Sequence, residues 1–391
     1  MRLKRGMDMR IVNCGIIGLG FIGPAHIDAL LRTEGIRIVA VADVNEPQAR
    51  SVAERFSIPR VYSDYRELLK DETIEVVHNC TPNHLHYQIN MEIIAAGKHV
   101  VSEKPLAVTA EEARRLVSAA EDAGVLHAVC YVYRYFPMVQ EAAALVRKGE
   151  TGRIFAVNGT YLQDWLLYDT DWNWRLDPAV AGKSRAVADI GSHCLDLAGF
   201  VTGKRIARVM ADLATVHPVR RKPVGQQDTF SAKSAGEGAC VDMQINTEDH
   251  ANILVEFDDG ARGVFCISQV AAGRKNRLSL EVWGAEKALW WDQERPNELY
   301  LGFRNEANRL LMKDPQLLEP EAREYAHYPG GHTEGYPTCM RNLFRNIYRR
   351  VRDPELPVDY ATFRDGCTVD LIVEAVLKSS ETRQWEAVPD V

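Results

Sequence analysis

The chain has no Cys-x-x-Cys pair and no Cys/His spacing that suggests zinc, although it carries eight cysteines. That excludes the common zinc modules and thiol-redox motifs. Cys14, Cys80, Cys130, Cys194, Cys240, Cys266, Cys339 and Cys367 lie mostly inside apolar runs. They read as small buried hydrophobes in a reducing compartment. There is no run of about 18 apolar residues, so no membrane-spanning helix is expected. Lys4 and Arg5 before the apolar stretch 11–23 superficially copy a secretory leader, but Gly15, Gly18, Gly20 and Gly23 break it and no small-residue cleavage site follows. Basic residues are not in excess either. The net charge is −7, and the short clusters Arg220, Arg221, Lys222 and Arg345, Arg349, Arg350 sit among acids. Those clusters read as solvated faces, which argues against a nucleic-acid partner. Internal repeats and low-complexity tracts are absent. A soluble, cytoplasmic protein is the expectation.

What is present is ordinary globular composition over 391 residues, 46% hydrophobic and 26% charged, enough chain for two or three domains. Up to about residue 130, continuous apolar runs alternate with helical periodicity. The runs at 10–18, 37–43, 75–80, 98–102 and 125–130, with a short one near Val61, read as strands buried on both faces. Helices are expected at 24–32, 47–56, 65–70, 86–96 and 110–123. This alternation predicts a doubly wound parallel sheet. After the helix at 137–148 the pattern switches to period two, as in ANILVEFDDGARGVFCISQV, with Asp259-Gly260 as a hairpin signal. An α+β domain with a large, open-faced, mostly antiparallel sheet is expected, with helices at 187–201, 334–349 and 362–383. Residues 217–240 and 303–333 read as long loops. The boundaries are set at 1–130 and 131–391, with the last helix placed against the first domain.

Gly18-Leu19-Gly20-Phe21-Ile22-Gly23 is GxGxxG, weak evidence by itself. Here it follows a strand, opens a helix, and has Asp43 at the end of the next strand, which is the context the motif requires. Gly18 permits the turn, Gly20 lets the backbone approach a pyrophosphate, Gly23 allows close helix–strand packing, and the helix N-terminus faces the phosphates. A carboxylate at Asp43 accepts from a ribose 2′-OH and repels a 2′-phosphate, so NAD is favoured over NADP.

Glu103-Lys104-Pro105 follows the strand at 98–102, at the carboxyl end of the sheet where open α/β folds bind ligands. A cis Lys-Pro bond there would aim the ammonium at the cleft. Asp189 and His193 lie four apart and share a face if the segment is helical, with Asp196 nearly on the same face. A carboxylate beside an imidazole orients it and tunes it for proton transfer.

With GLGFIGPAH (18–26), CTPNHLH (80–86), SEKPLAVT (102–109), YRY (133–135) and DIGSHCLDL (189–197), the chain resembles the glucose–fructose oxidoreductase / inositol dehydrogenase / rhizopine-catabolism family of NAD(P)-dependent oxidoreductases over nearly its whole length. The resemblance implies a catalytic set of Lys104, Asp189 and His193, with His193 as general base held by Asp189 and Lys104 stabilising the developing alkoxide. It implies that Phe21, Ile22, Thr81, Pro82, Asn83, His86 and Glu103 flank the cofactor, and that Arg134, Trp174 and Arg175 stand near the nicotinamide and cleft. Tyr133 departs from the Asn of many relatives. GTYLQDW (159–165) and WNWR (172–175) resemble the levoglucosan and glucoside 3-dehydrogenase branch. Gln163, Asp164 and Trp165 would then line a sugar site with Tyr133, Arg175 and His332, the last assigned no chemistry.

The implied activity is hydride transfer from a secondary hydroxyl of a cyclic polyol or sugar to NAD. Two alternatives stay open: an NAD-dependent glycosidase using transient oxidation, and a catalytically silent NAD/sugar-sensing regulator. Metal readings of His84, His86 and Cys80, or of His193, Asp189 and Asp196, are outweighed by the cofactor motif and by Lys104. A homodimer or homotetramer through the open sheet face is expected.

Overall fold

The computed structural model describes residues 10–224 and 239–391. Six short strands, β1 (Val12–Ile17), β2 (Ile36–Ala42), β3 (Arg60–Tyr62), β4 (Val76–Asn79), β5 (His99–Ser102) and β6 (His127–Val129), form a parallel sheet in the order β3-β2-β1-β4-β5-β6. Helices α1 (Ile22–Leu31), α2 (Glu46–Phe56), α3 (Tyr65–Leu69), α4 (Asn83–Ala95) and α5 (Ala110–Ala123) connect them. With helices on both faces, strand residues such as Cys14, Ile16, Val76, Val77, Val100 and Val101 have no exposed surface, which is why these runs are continuously apolar. The helix starts are local chemistry. Asn45, Asp64 and Thr109 each accept a backbone N–H of the first turn. Gly124 closes α5 in the left-handed conformation at φ 65°.

A 3₁₀ turn (Val132–Tyr135) and α6 (Pro137–Arg147) lead into a nine-stranded sheet. Its strands are β7 (Ile154–Leu162), β8 (Ile206–Ala214), β11 (His250–Phe257), β12 (Arg262–Ser268), β13 (Arg277–Gly284), β14 (Ala288–Asp292), β15 (Glu298–Gly302), β16 (Arg309–Met312) and β17 (Glu386–Ala387). All neighbours are antiparallel except β12 against β7. The hairpin β11–β12 turns at Asp259-Gly260, with Gly260 at φ 86°. Short helices α7 (Pro178–Ala181) and α9 (Pro320–Arg323) lie in connections, and the longer α8 (Ser192–Thr202), α10 (Tyr336–Arg352) and α11 (Phe363–Thr382) pack on the sheets. A capping box of Thr362 and Asp365 starts α11, which lies between α5 and β8.

Three local expectations need correction. Within 217–240, Val219–Pro223 is a strand (β9) paired with β10 (Cys240–Gln244), and 225–238 lies outside the described residues. The VRRKP sequence has the composition of a solvated loop, yet Arg220 is fully buried on Asp249. Within 303–333, β16 and α9 are ordered elements; β16 adds to a sheet edge, which no local pattern announces. The helix expected at 187–201 begins instead as a π-helical turn over Val187–Gly191, with the Ser192 N–H bonded to the Val187 carbonyl, and becomes α-helical only from Ser192. No described helix is long and apolar enough to cross a membrane.

Candidate active site

The carboxyl ends of β1, β4 and β5 bring together the glycine turn, the Cys80–Asn83 segment and Glu103-Lys104. Gly18 sits at φ 88°, and a Cβ there would lie 2.7 Å from the Cys80 carbonyl. A Cβ on Gly23 would lie 2.3 Å from the Gly18 oxygen, whereas one on Gly20 meets nothing within 4 Å. Two glycines are thus required by packing, and the third leaves open backbone for a ligand. Asp43 braces this turn: its Oδ2 accepts the Leu19 N–H at 2.7 Å and its Oδ1 the Asn45 N–H at 2.8 Å. Phe21 is exposed and Ile22 half-buried at the turn. An open backbone turn before a helix, followed by a carboxylate on the next strand, fits a dinucleotide.

On the neighbouring segment Thr81 donates to Asn79 at 2.7 Å, and Asn83 reaches across to the Ala181 carbonyl at 3.2 Å. Pro82 precedes the first residue of α4. His86 is buried, and its ring nitrogens lie 2.7 Å from the Pro105 carbonyl and 2.8 Å from the Thr81 carbonyl. Its ring thus lies between two cleft segments, with one nitrogen donating to one of these main-chain oxygens. The Lys104–Pro105 peptide is cis. Glu103 is buried against His26, Oε1 to Nε2 at 2.9 Å. Burial pushes its carboxyl up, but the His26 hydrogen bond and the charges of His26 and Lys104 outweigh that and hold it at about 2.

Lys104 Nζ donates to the main-chain oxygen of Asp189 at 2.7 Å and to its Oδ1 at 3.0 Å. Arg175 Nε donates to the same Oδ1 at 3.1 Å, and Gln269 Nε2 donates to Oδ2 at 3.0 Å. Burial works against this carboxylate, but Lys104 and Arg175 overwhelm the penalty and hold it well below the usual range. The expectation that Asp189 orients His193 is corrected here. Asp189 gives its carboxylate to Lys104, Arg175 and Gln269, and among the described residues no hydrogen bond joins it to His193. His193 Nδ1 is buried without a partner. Burial first, then the Lys104 charge, lowers its pKa to about 3, so the imidazole is neutral.

The edge of His193 faces Tyr133, ring centroids 4.9 Å apart. Tyr133 Oη lies 2.6 Å from Tyr161 Oη and accepts from Asn276 Nδ2 at 3.1 Å. Asn276 Oδ1 accepts from Tyr161 and from Gln163 Nε2, both at 2.8 Å, and Gln163 Oε1 accepts from Trp165 Nε1 at 2.7 Å. Arg175 stacks on Trp174 at 4.4 Å. These side chains line one polar and aromatic wall beside His193.

Three predicted residues do not join that wall. Asp164 is bonded to the Gly273 N–H and to Lys275. Arg134 is buried and paired with Asp196 and Asp365, so its guanidinium staples the 3₁₀ turn to α8 and α11. Asp196 is correspondingly part of that staple. His332 is exposed, with Nδ1 on the nearby Gly330 carbonyl. Conversely, Gln269 and Asn276 are bonded to Asp189 and to Gln163 although the sequence pattern does not single them out, and Tyr161 joins them from within GTYLQDW. The one available signal is Gln269, a lone amide closing the apolar strand GVFCIS at its carboxyl end.

Residues 12–131 match the family model of the oxidoreductase family, NAD-binding Rossmann fold, and 139–290 match the GFO/IDH/MocA C-terminal domain. Levoglucosan dehydrogenase of Pseudarthrobacter phenanthrenivorans is 31% identical over 98% of this chain and 100% of its own length. A structure of levoglucosan dehydrogenase with NADH and L-sorbose superposes with a TM-score of 0.88 at 29% identity, covering 98% of this chain and 100% of that one. An inositol dehydrogenase homologue complexed with NAD⁺ from Azotobacter vinelandii gives 0.85 at 26% identity, covering 97% of both chains. Matched in both of its domains and along nearly its whole length, the chain belongs to the GFO/IDH/MocA family of NAD-binding oxidoreductases.

Proposed function

We propose that this oxidoreductase removes hydride from a secondary hydroxyl of a cyclic polyol or sugar, of inositol, levoglucosan or glucoside type, and passes it to NAD. The observation that carries the reading is the Lys104–Asp189 pair beside a neutral His193 at the carboxyl end of the first sheet. NAD, when bound, supplies the hydride acceptor. The chain must then hold the hydroxyl, take its proton and stabilise charge on its oxygen. His193 takes the proton: its ring is unprotonated and so has a nitrogen lone pair to accept with. Lys104 donates to the same oxygen and stabilises the alkoxide as it forms. Asp189 serves Lys104 rather than the imidazole, holding the ammonium by two oxygens.

A neutral ring with several hydroxyls suits the wall of Tyr133, Gln163 and Asn276, with Trp165 and Trp174 offering aromatic faces to its C–H patches. The similarity to levoglucosan dehydrogenase supports the same class. On this reading residues 1–130 serve the cofactor, and 131–391 serve substrate and subunit contact. Leu254, Val264 and Trp283 stand exposed on the outer face of the larger sheet, and a second copy covering them makes the protein a homo-oligomer. Sedimentation of a plain monomer at micromolar concentration would remove that last element.

NADH formation across inositols, glucose, levoglucosan, glucosides and sugar acids tests the reaction. Turnover of at least one ring polyol is expected, and no NADH from any of them would overturn the reading. Release of aglycone without net NADH would move the chemistry to glycoside cleavage.

A further inference from the structure

Behind Asp189 lies a set of charged groups that the reaction as described does not use. Arg185, Arg220 and Asp249 are buried almost completely. Both guanidinium groups bond Asp249 Oδ1. Arg185 also donates to Thr247 Oγ1 at 3.1 Å and to Gln269 Oε1 at 3.1 Å. Glu248 fixes the chain on the other side, accepting the N–H groups of Arg185 and Val187, each at 2.9 Å, and the Ser184 hydroxyl at 2.7 Å. Gln269 itself has no exposed surface, and its backbone is tied to the Asp249 carbonyl and the Leu166 N–H.

An amide has one acceptor end and one donor end. An arginine can only donate, so the Arg185 contact turns Gln269 Oε1 toward it and leaves Nε2 aimed at Asp189 Oδ2, 3.0 Å away. Arg185 cannot swing away without leaving Asp249 short of a partner inside the protein. We propose that Gln269 is a positioning residue: with its orientation dictated by Arg185, it anchors Asp189 so that Oδ1 stays turned to Lys104. This rests on the reading of Lys104 and Asp189 given above. The charged and titratable groups around Asp189 are Lys104, Arg175 and His193, with the phenols of Tyr133 and Tyr161 beyond them. Each of them is left in place by the substitutions at position 269 below.

Gln269→Glu tests the point because an ionised carboxylate accepts and cannot donate. Arg185 faces the new carboxyl while Lys104 and Arg175 face Asp189, so both groups are ionised near neutral pH and two carboxylates face each other. The kcat/KM of Q269E, measured with levoglucosan and with myo-inositol, is therefore expected to lie at least about tenfold below that of the native chain, with NADH affinity unchanged. Gln269→Met, with no donor at any pH, is expected to lower kcat by about tenfold at every pH, with NADH affinity unchanged. In an Asp189→Asn background Q269M should cause no further loss, since Gln269 acts through Asp189.

Q269M or Q269E turnover within twofold of native, or a further loss caused by Q269M in the D189N background, would each overturn the proposal. Native turnover in D189N alone would instead refute the reading of Asp189, a distinct result.

Discussion

Lys104 meets Asp189 twice, through the main-chain oxygen at 2.7 Å and Oδ1 at 3.0 Å. The loop after β5 and the segment leading into α8 are thereby joined. Lys104→Ala is expected to cut kcat by about 10²–10³, the cost of losing one donor to a developing oxyanion. NADH binding, followed by nicotinamide fluorescence, should be unchanged, because Asp189 keeps Arg175 and Gln269. Near-native turnover in this variant would refute the role of the ammonium.

The neutral His193 makes a prediction about acid. Its pKa is lowered to about 3, so the proton-accepting form persists far below the ordinary histidine range. The acid limb of kcat/KM attributable to this residue should therefore lie well under pH 6. Between about pH 6.5 and about 3 the unfolded chain binds a proton that the folded one resists, so folding weakens as pH falls through that window. The loss is at most about 1.4 kcal/mol per pH unit. His193→Gln should flatten that part of the melting-temperature profile while reducing turnover by about 10²–10⁴. A full-strength acid limb near pH 6.5 that vanishes in H193Q would contradict the neutral-base assignment.

Asp43 has two jobs that can be separated. Its carboxylate braces the Leu19 N–H and faces the place where a ribose would lie. The native chain should show higher kcat/KM with NAD than with NADP. Asp43→Ser should narrow that ratio and also weaken NADH binding several-fold, because the glycine turn loses its brace. A native preference for NADP would reverse the specificity assignment.

Arg134 is expected to act on stability rather than on the cofactor. Arg134→Met leaves Asp196 and Asp365 without their shared cation inside the protein. Removing one partner of a buried ion pair costs about 3–5 kcal/mol, so the melting temperature should drop by several degrees or more. NADH affinity of the folded fraction should hold. A large loss of NADH affinity with no loss of stability would restore the cofactor role that the sequence suggests.

The amino-acid sequence by itself determined the parallel sheet, the glycine turn with Asp43 and the hairpin at Asp259-Gly260. These are legible because each is local: a run buried on both faces, a turn only glycine can make, a residue placed at the end of a strand. The cysteines follow the same logic, since Cys14, Cys80, Cys130, Cys194, Cys339 and Cys367 are unpaired and buried, as their apolar flanks require. Only the tertiary structure decided what each polar side chain touches. Arg134 and Asp164 read as cleft residues in the sequence, yet they bind Asp196, Asp365 and Lys275. Arg220 reads as solvated and is a buried cation on Asp249. Asp189 reads as the partner of His193, four residues away, and its carboxylate is hydrogen-bonded to Lys104, Arg175 and Gln269. Hydrogen bonds between residues far apart in the chain depend on side-chain direction and on which elements the fold packs together, and neither is written in a local pattern.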